Sequence, residues 1–221
     1  MAAKKNMGTY WDDIILTWEE SSYEKKVKSP DFLEGLAAHF RQHIIDRQDT
    51  CLKYLKNHIV GKTVLEIGSA TGSTCFALSQ MGAKRVIGTD ISPRAIERAN
   101  TMARQKGISK EKLEFFVTGV GEKIPTDEKV DMMIGLGILE YVESAFLRNF
   151  VQKLKAPQLF LSFDELRFTP QKIIHFFYRN IRQIPYYKQY TQDEIKELFA
   201  ELGYNNLRTF RDRKNAFITN F

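Results

Sequence analysis

The sequence is poor in cysteine, with two residues in 221, Cys51 and Cys75, at no paired spacing. That excludes a disulfide-stapled scaffold. No apolar run approaches the roughly 20 residues that cross a bilayer as a helix. The basic start, Met1 to Asn6, is followed by Asp12 and Asp13 rather than by an apolar stretch, so no secretory leader is read. Internal repeats and low-complexity tracts are also missing. There are six prolines, and most stand at the edges of periodic segments, where they mark boundaries. A soluble, reducing, cytoplasmic setting is the expectation.

What is present fits one globular domain with a decorated edge. At 43% hydrophobic and 12% aromatic residues the chain is not a disordered one. Its length suffices for a core that needs no staples. The net charge of +6 is uneven. Residues 151–221 hold twelve basic and seven acidic side chains, so nearly all the excess lies there. Such a region attracts anionic substrates, nucleic acid or a membrane face, or is simply a solvated surface.

Periodicity orders the elements. Residues 1–28 carry Tyr10, Trp11, Ile14, Ile15 and Trp18 at helical spacing. Ser29-Pro30 opens a helix that runs to about Val60, ahead of Gly61. Strands are predicted at 63–67, 85–90, 113–118, 130–135 and 158–163, with helices after the first, second and fourth of them. Thr191 to Glu194 is a capping box, and 207–212 with 215–219 read as a closing pair of strands. This alternation predicts an α/β fold: a Rossmann-like, doubly wound, seven-stranded sheet with an antiparallel edge strand. The expected organisation is an N-terminal helical lid over 1–60 and a domain over 61–221, with a substrate-covering insert at 165–190.

The first strand ends in Glu66-Ile67-Gly68-Ser69-Ala70-Thr71-Gly72-Ser73. Glycines there permit a tight turn and a close approach to a ligand, and the next helix aims free N–H groups at that spot. A P-loop is excluded, because no Gly-Lys-Ser/Thr follows. A dinucleotide loop wants glycine where Ala70 stands. Asp90, at the end of the second strand, is placed to accept ribose hydroxyls of any adenosyl cofactor. It can also act simply as a helix cap.

Val64 to Gly72, Val86 to Pro93, Glu122 to Pro125 and Val130 to Val142, in that order, resemble the motifs of class I S-adenosylmethionine-dependent methyltransferases. The resemblance covers about residues 60–145. It implies S-adenosyl-L-methionine as cofactor and no metal. It places Glu66 near the methionine amino group and Gly68, Ser69, Ala70, Thr71 and Gly72 along the cofactor. It puts Asp90 on the ribose, Ile91 on the adenine and Leu136 toward the sulfonium. Many relatives carry an acid just after the third strand to hold the adenine amino group. Here either Val120 meets the adenine through its backbone or Glu122 takes that role.

Tyr141, Asp164 and His175 are the candidate catalytic residues, with Glu165 beside them. Each also has an ordinary structural reading: a packed aromatic, a cap, a covered histidine. His39 and His43 stand four apart, but no third ligand completes a metal set. The insert Leu166 to Tyr190 is aromatic and basic together. That suits a small-molecule acceptor that is anionic, aromatic or lipid-like, with peripheral membrane contact as a variant. Base-methylation signatures are missing, which disfavours nucleic acid. The expected reaction is methyl transfer to a small molecule, oxygen preferred over nitrogen, by a monomer or homodimer. RNA or protein methylation, and cofactor binding without catalysis, stand as alternatives.

Overall fold

The computed structural model describes residue 12 and residues 32–120, 122–167 and 186–221. Tyr10, Trp11 and His175, and with them half of the expected lid and the middle of the insert, lie outside the described residues. The elements run α1 (Phe32–Leu55), β1 (Thr63–Ile67), α2 (Ser73–Gln80), β2 (Arg85–Asp90), α3 (Pro93–Gln105), β3 (Leu113–Val117), β4 (Met132–Gly135), α4 (Ser144–Leu154), β5 (Gln158–Phe163), α5 (Gln192–Glu201), β6 (Arg208–Asp212) and β7 (Asn215–Thr219). They build one seven-stranded sheet in the order β3-β2-β1-β4-β5-β7-β6. The first five strands pair in parallel. β7 runs against both its neighbours, giving the sheet its antiparallel edge pair.

The strand sequences explain their places. Every residue of β1, Thr-Val-Leu-Glu-Ile, is buried, as a central parallel strand covered on both faces requires. Alternation then sorts the side chains. Leu65, Ile67, Ile87 and Met133 join Leu147, Phe150 and Val151 of α4 and Ile195, Leu198 and Phe199 of α5. Val64, Val86, Met132 and Ile134 join Cys51 and Leu55 of α1, Phe76 and Leu78 of α2, and Ile96 and Ala99 of α3. Helix ends follow their sequence signals. Ser92 accepts from the Ala95 N–H at 3.1 Å, with Pro93 next to it. Thr191 and Glu194 form the reciprocal box, at 3.1 and 2.7 Å.

Several boundaries move inward, most of all at the end of α1. α1 stops at Leu55 rather than about Val60. β4 starts at Met132, because Asp131 is used otherwise: its carboxylate accepts from Thr63 N–H at 2.9 Å and its own N–H donates to Thr63 O at 2.8 Å.

α1 is fastened to the β6–β7 hairpin. Thr50 donates to Asp212 at 2.5 Å, and the Tyr54 ring stacks on Phe210 at 5.3 Å between centroids. On the opposite flank, Asp12 accepts from the Ser92 hydroxyl and from the Arg94 N–H, so it supports the start of α3.

Gly88 of β2 lies directly opposite Phe115 of β3, and the ring lies across it. A Cβ at Gly88 would stand 2.6 Å from Phe115 Cε1, and one at Gly72 would stand 2.5 Å from the same atom. The ring therefore fills the space that two absent side chains leave. Gly88→Ala is expected to destabilise the fold by roughly 1–3 kcal/mol through overpacking. Phe115→Leu in the same chain should recover part of that. Urea denaturation of the single and double variants checks the coupling.

Candidate active site

Strand order reverses between β1 and β4, and open α/β sheets take ligands outside the carboxyl ends of their strands at such a point. After β1 the chain turns through Gly68, Ala70 and Gly72, all three with positive φ, at 71°, 47° and 87°. Glycine adopts that region freely, whereas Ala70 pays strain for it. Its compensation is a hydrogen bond from the Ala70 N–H to Asp90 Oδ2 at 2.9 Å. Asp90 Oδ1 accepts from the Ser92 N–H, also at 2.9 Å. Burial pushes the Asp90 carboxyl above its usual range, against the pull of those backbone donors.

α2 starts at Ser73 with no side-chain cap from Gly72. Glu66, one strand residue before the turn, reaches up and takes that place. It accepts from the Cys75 thiol at 2.9 Å, and also from the Thr74 side chain and the Cys75 backbone N–H. The positive end of the helix dipole favours an acid there. Burial nevertheless dominates and lifts the Glu66 carboxyl to about 7, with Asp90 adding to the rise. Burial likewise raises both thiols well above the usual cysteine range. Cys75 is thus a neutral hydrogen-bond donor to Glu66.

These residues fit an adenosyl cofactor. Among the described residues the buried Ser69 Oγ has no hydrogen-bond partner, as a polar atom lining a ligand site would. Ile91 faces the turn after β3: a Cβ at Gly119 would lie 3.6 Å from Ile91 Cδ1. Val120 is partly buried in the same turn. Glu122 folds back and closes its own turn, accepting from the Gly119 N–H at 3.0 Å and the Thr118 hydroxyl at 3.3 Å. Thr71 is buried in the loop, and Leu136 packs partly buried against the α1–α3 layer.

The acceptor side is built from the ends of β4 and β5. Gly137, with φ 73°, donates its N–H to Ser162 Oγ at 2.8 Å. Ile138 packs against Gly68. The Tyr141 ring meets Tyr187 edge-on at 5.5 Å. The Tyr187 hydroxyl donates to Asp164 Oδ2, and Gln189 Nε2 donates to the same oxygen at 2.9 Å. Main-chain bonds from Lys188 to Glu140, Tyr190 to Asp164 and Leu166 to Tyr190, at 2.8, 3.0 and 2.8 Å, stitch residues 186–190 across these strand ends. Tyr141 and Asp164 are therefore brought together, and Tyr187 joins them. The Tyr-Tyr-Lys-Gln-Tyr run was the only sequence signal for Tyr187. Glu165 is spent elsewhere: Arg211 donates to it at 2.7 and 2.5 Å and Gln192 at 2.8 Å. These donors, Arg211 first, hold its carboxyl below the usual range. Among the described residues no cluster of three or more His, Cys, Asp or Glu could hold a metal, and no helix is long and apolar enough to cross a membrane.

The reversal point, the glycine turn and the acid ending β2 define a class I S-adenosylmethionine-dependent methyltransferase. A methyltransferase-domain family profile matches residues 59–203, and the chain belongs to that family. Among solved structures, the magnesium protoporphyrin IX methyltransferase of Synechocystis PCC 6803 with bound S-adenosylhomocysteine superposes with a TM-score of 0.70, over 96% of each chain, at 17% identity. The form with S-adenosylmethionine gives 0.67, over 99% of this chain and 98% of that one, also at 17% identity. At such identity the likeness speaks for the fold. By sequence, the ribosomal protein L11 methyltransferase of Photobacterium profundum is 35% identical over 85 residues, 38% of this chain and 28% of that protein. The Histophilus somni counterpart is 36% identical over 85 residues, again 38% of this chain and 27% of the relative. The chain thus matches little more than a quarter of the length of these relatives.

The raised Glu66 carboxyl makes a pH prediction. Its value is higher folded, about 7, than the ordinary 4.5. The native state therefore binds more protons over that interval, and stability falls as pH rises through it, then levels off. The full drop from this one group is on the order of 3 kcal/mol, several degrees in Tm. Thermal unfolding of Glu66→Gln between pH 5 and 8 should show a visibly flatter profile than the wild type.

Proposed function

We propose that this protein transfers the methyl group of S-adenosylmethionine to a small-molecule acceptor, with an oxygen nucleophile preferred over nitrogen. The observation that carries the reading is Asp164 at the end of β5, held by Tyr187 and Gln189 beside Tyr141. A carboxylate so placed suits removal of a proton from an acceptor hydroxyl, which an amine acceptor does not demand in the same way.

When bound, S-adenosylmethionine supplies a methyl group activated by the positive charge on sulfur. Asp90 would receive the ribose hydroxyls, and the turn from Ser69 to Gly72 would line the cofactor, its shape held by the Ser69, Ala70 and Gly72 N–H groups donating to Thr89 O, Asp90 Oδ2 and Ser69 O. Ile91 and Val120 flank the adenine. Glu66 keeps α2 in place and lies on the methionine side. Tyr141 and Tyr187 wall the acceptor, so that its nucleophile lines up with the methyl group, and Asp164 takes the proton. Alignment of this kind is the larger part of what a protein contributes to a displacement. The relatives matched over 85 residues act on a ribosomal protein. That shared stretch is too short a part of them to bring their substrate with it.

Calorimetric titration tests the cofactor. The wild type is expected to bind S-adenosylmethionine at micromolar concentrations, and Asp90→Ala to lose that binding. The acceptor class is tested with cofactor labelled in its methyl group and a cell extract. Label should enter an organic-extractable small molecule, and label recovered in protein or RNA would overturn the reading. With that acceptor in hand, Asp164→Asn should lower kcat about 100-fold while leaving cofactor affinity unchanged.

A further inference from the structure

We infer that the methyl acceptor carries an acidic hydroxyl on a flat unsaturated ring, a phenol or an enol of comparable acidity. This rests on methyl transfer to a small molecule at the crevice and names the chemical class of that molecule.

The base comes first. Side chains alternate between the two faces of a strand. Phe163, the last residue of β5, joins the α4–α5 layer, and Glu165 turns to the same side, where Gln192 of α5 and Arg211 hold it. Phe160 joins the α1–α3 layer, and Asp164 follows it to that face. Tyr187 and Gln189 both donate to Asp164 Oδ2. Carboxyl groups titrate at about 4 and phenols at about 10, whereas an aliphatic hydroxyl is about as weak an acid as water, near 16. Moving a proton to a carboxylate is thus uphill by about 6 units from a phenol and about 12 from an aliphatic alcohol, so the phenol asks about a millionfold less of the same group. A carboxylate base matches the first and not the second.

The walls come second. Tyr141 and Tyr187 are both half-buried. Their rings stand edge to face, with centroids 5.5 Å apart and planes at 62°. Two rings at such an angle make a corner, in which a third stacks on one and meets the edge of the other. Main-chain bonds from Lys188 to Glu140 and from Tyr190 to Asp164 hold this corner against the strand ends. The hydroxyl that Tyr187 donates to Asp164 is itself a phenol, so the chain displays within itself the contact inferred for the acceptor.

In the reaction the acceptor O–H bond breaks and its proton goes to the Asp164 carboxylate. An electron pair of that oxygen forms the new bond to the methyl carbon. The pair of the broken S–CH3 bond stays on sulfur and cancels its positive charge, so S-adenosylhomocysteine leaves as a neutral thioether.

The test takes the small molecule that acquires label from S-adenosylmethionine in a cell extract. Its label should survive mild alkali, which cleaves a methyl ester. Hot hydriodic acid, which cleaves ethers and spares methylamines, should release it. The unmethylated acceptor should show the near-ultraviolet red shift of a phenolate in alkali, and the product should lack it. Label lost to mild alkali, label kept through hydriodic acid, or an acceptor with no such shift would each overturn the inference. Label in protein or RNA, or none taken up, sinks the small-molecule reading itself and is seen before any of these steps. Asp164→Asn adds a kinetic arm. Its kcat/KM should climb about tenfold per pH unit from about pH 7 to 9, closing the gap to the wild type, because hydroxide in solution then ionises a phenol without help. A loss equal at every pH would refute the inference. Should that variant fail to fold, the product chemistry decides alone.

Discussion

A buried carboxylate organises the site. Glu66 comes from a central strand buried at every residue and is 2% exposed, where a charge is expensive. Its neighbours offset that cost: a thiol, a hydroxyl and a main-chain N–H, all from the first turn of α2. The same contacts fix the angle at which α2 leaves the sheet. With α2 fixed, the turn between β1 and α2 has only a few conformations left. The Phe115 ring removes most of those by filling the space above Gly88 and beside Gly72.

Asp90 completes this arrangement from the neighbouring strand. Ala70 is the one non-glycine of the turn that adopts a left-handed conformation, and it does so because Asp90 holds its N–H. A dinucleotide loop solves the same problem with glycine. The acid proposed to serve a ribose is also the acid that shapes the glycine turn. An exchange at residue 90 would disturb both, so the two roles cannot be tuned apart.

The sequence carried the parallel sheet well, because buried strands and capped helices leave local signatures. Thr63–Ile67, Arg85–Asp90 and Gln158–Phe163 stand where their apolar runs put them. So do the caps at Ser92 and Thr191. The turn Gly68–Gly72 and Asp90 were legible for the same reason. What stayed hidden depends on contacts between residues far apart in the chain. Nothing near Arg47 says that it lies on Gly137, and nothing near Phe115 says that it needs glycine on the next strand. Cys75 has the spacing of a core residue, and only the fold shows its thiol on Glu66. Asp164 and Glu165 are adjacent and alike in sequence. Arg211, on an edge strand 46 positions away, takes Glu165 out of the site and leaves Asp164 in it.

The clasp between α1 and the β6–β7 hairpin has a consequence for how the molecule assembles. Thr50 and Asp212 are 162 positions apart, and Arg47 and Asn215 are 168. Closing loops of that size is slow and entropically unfavourable, so such contacts tend to form after local ones. β1 to β3, with α2 and α3 between them, can pair through neighbouring segments and complete the β2 side of the crevice early. The β4 side, where Arg47 lies against Gly137, must wait until the hairpin has added itself to β5 and captured α1. The crevice is thus assembled in two instalments, and the second is also the first to come apart when α1 loosens.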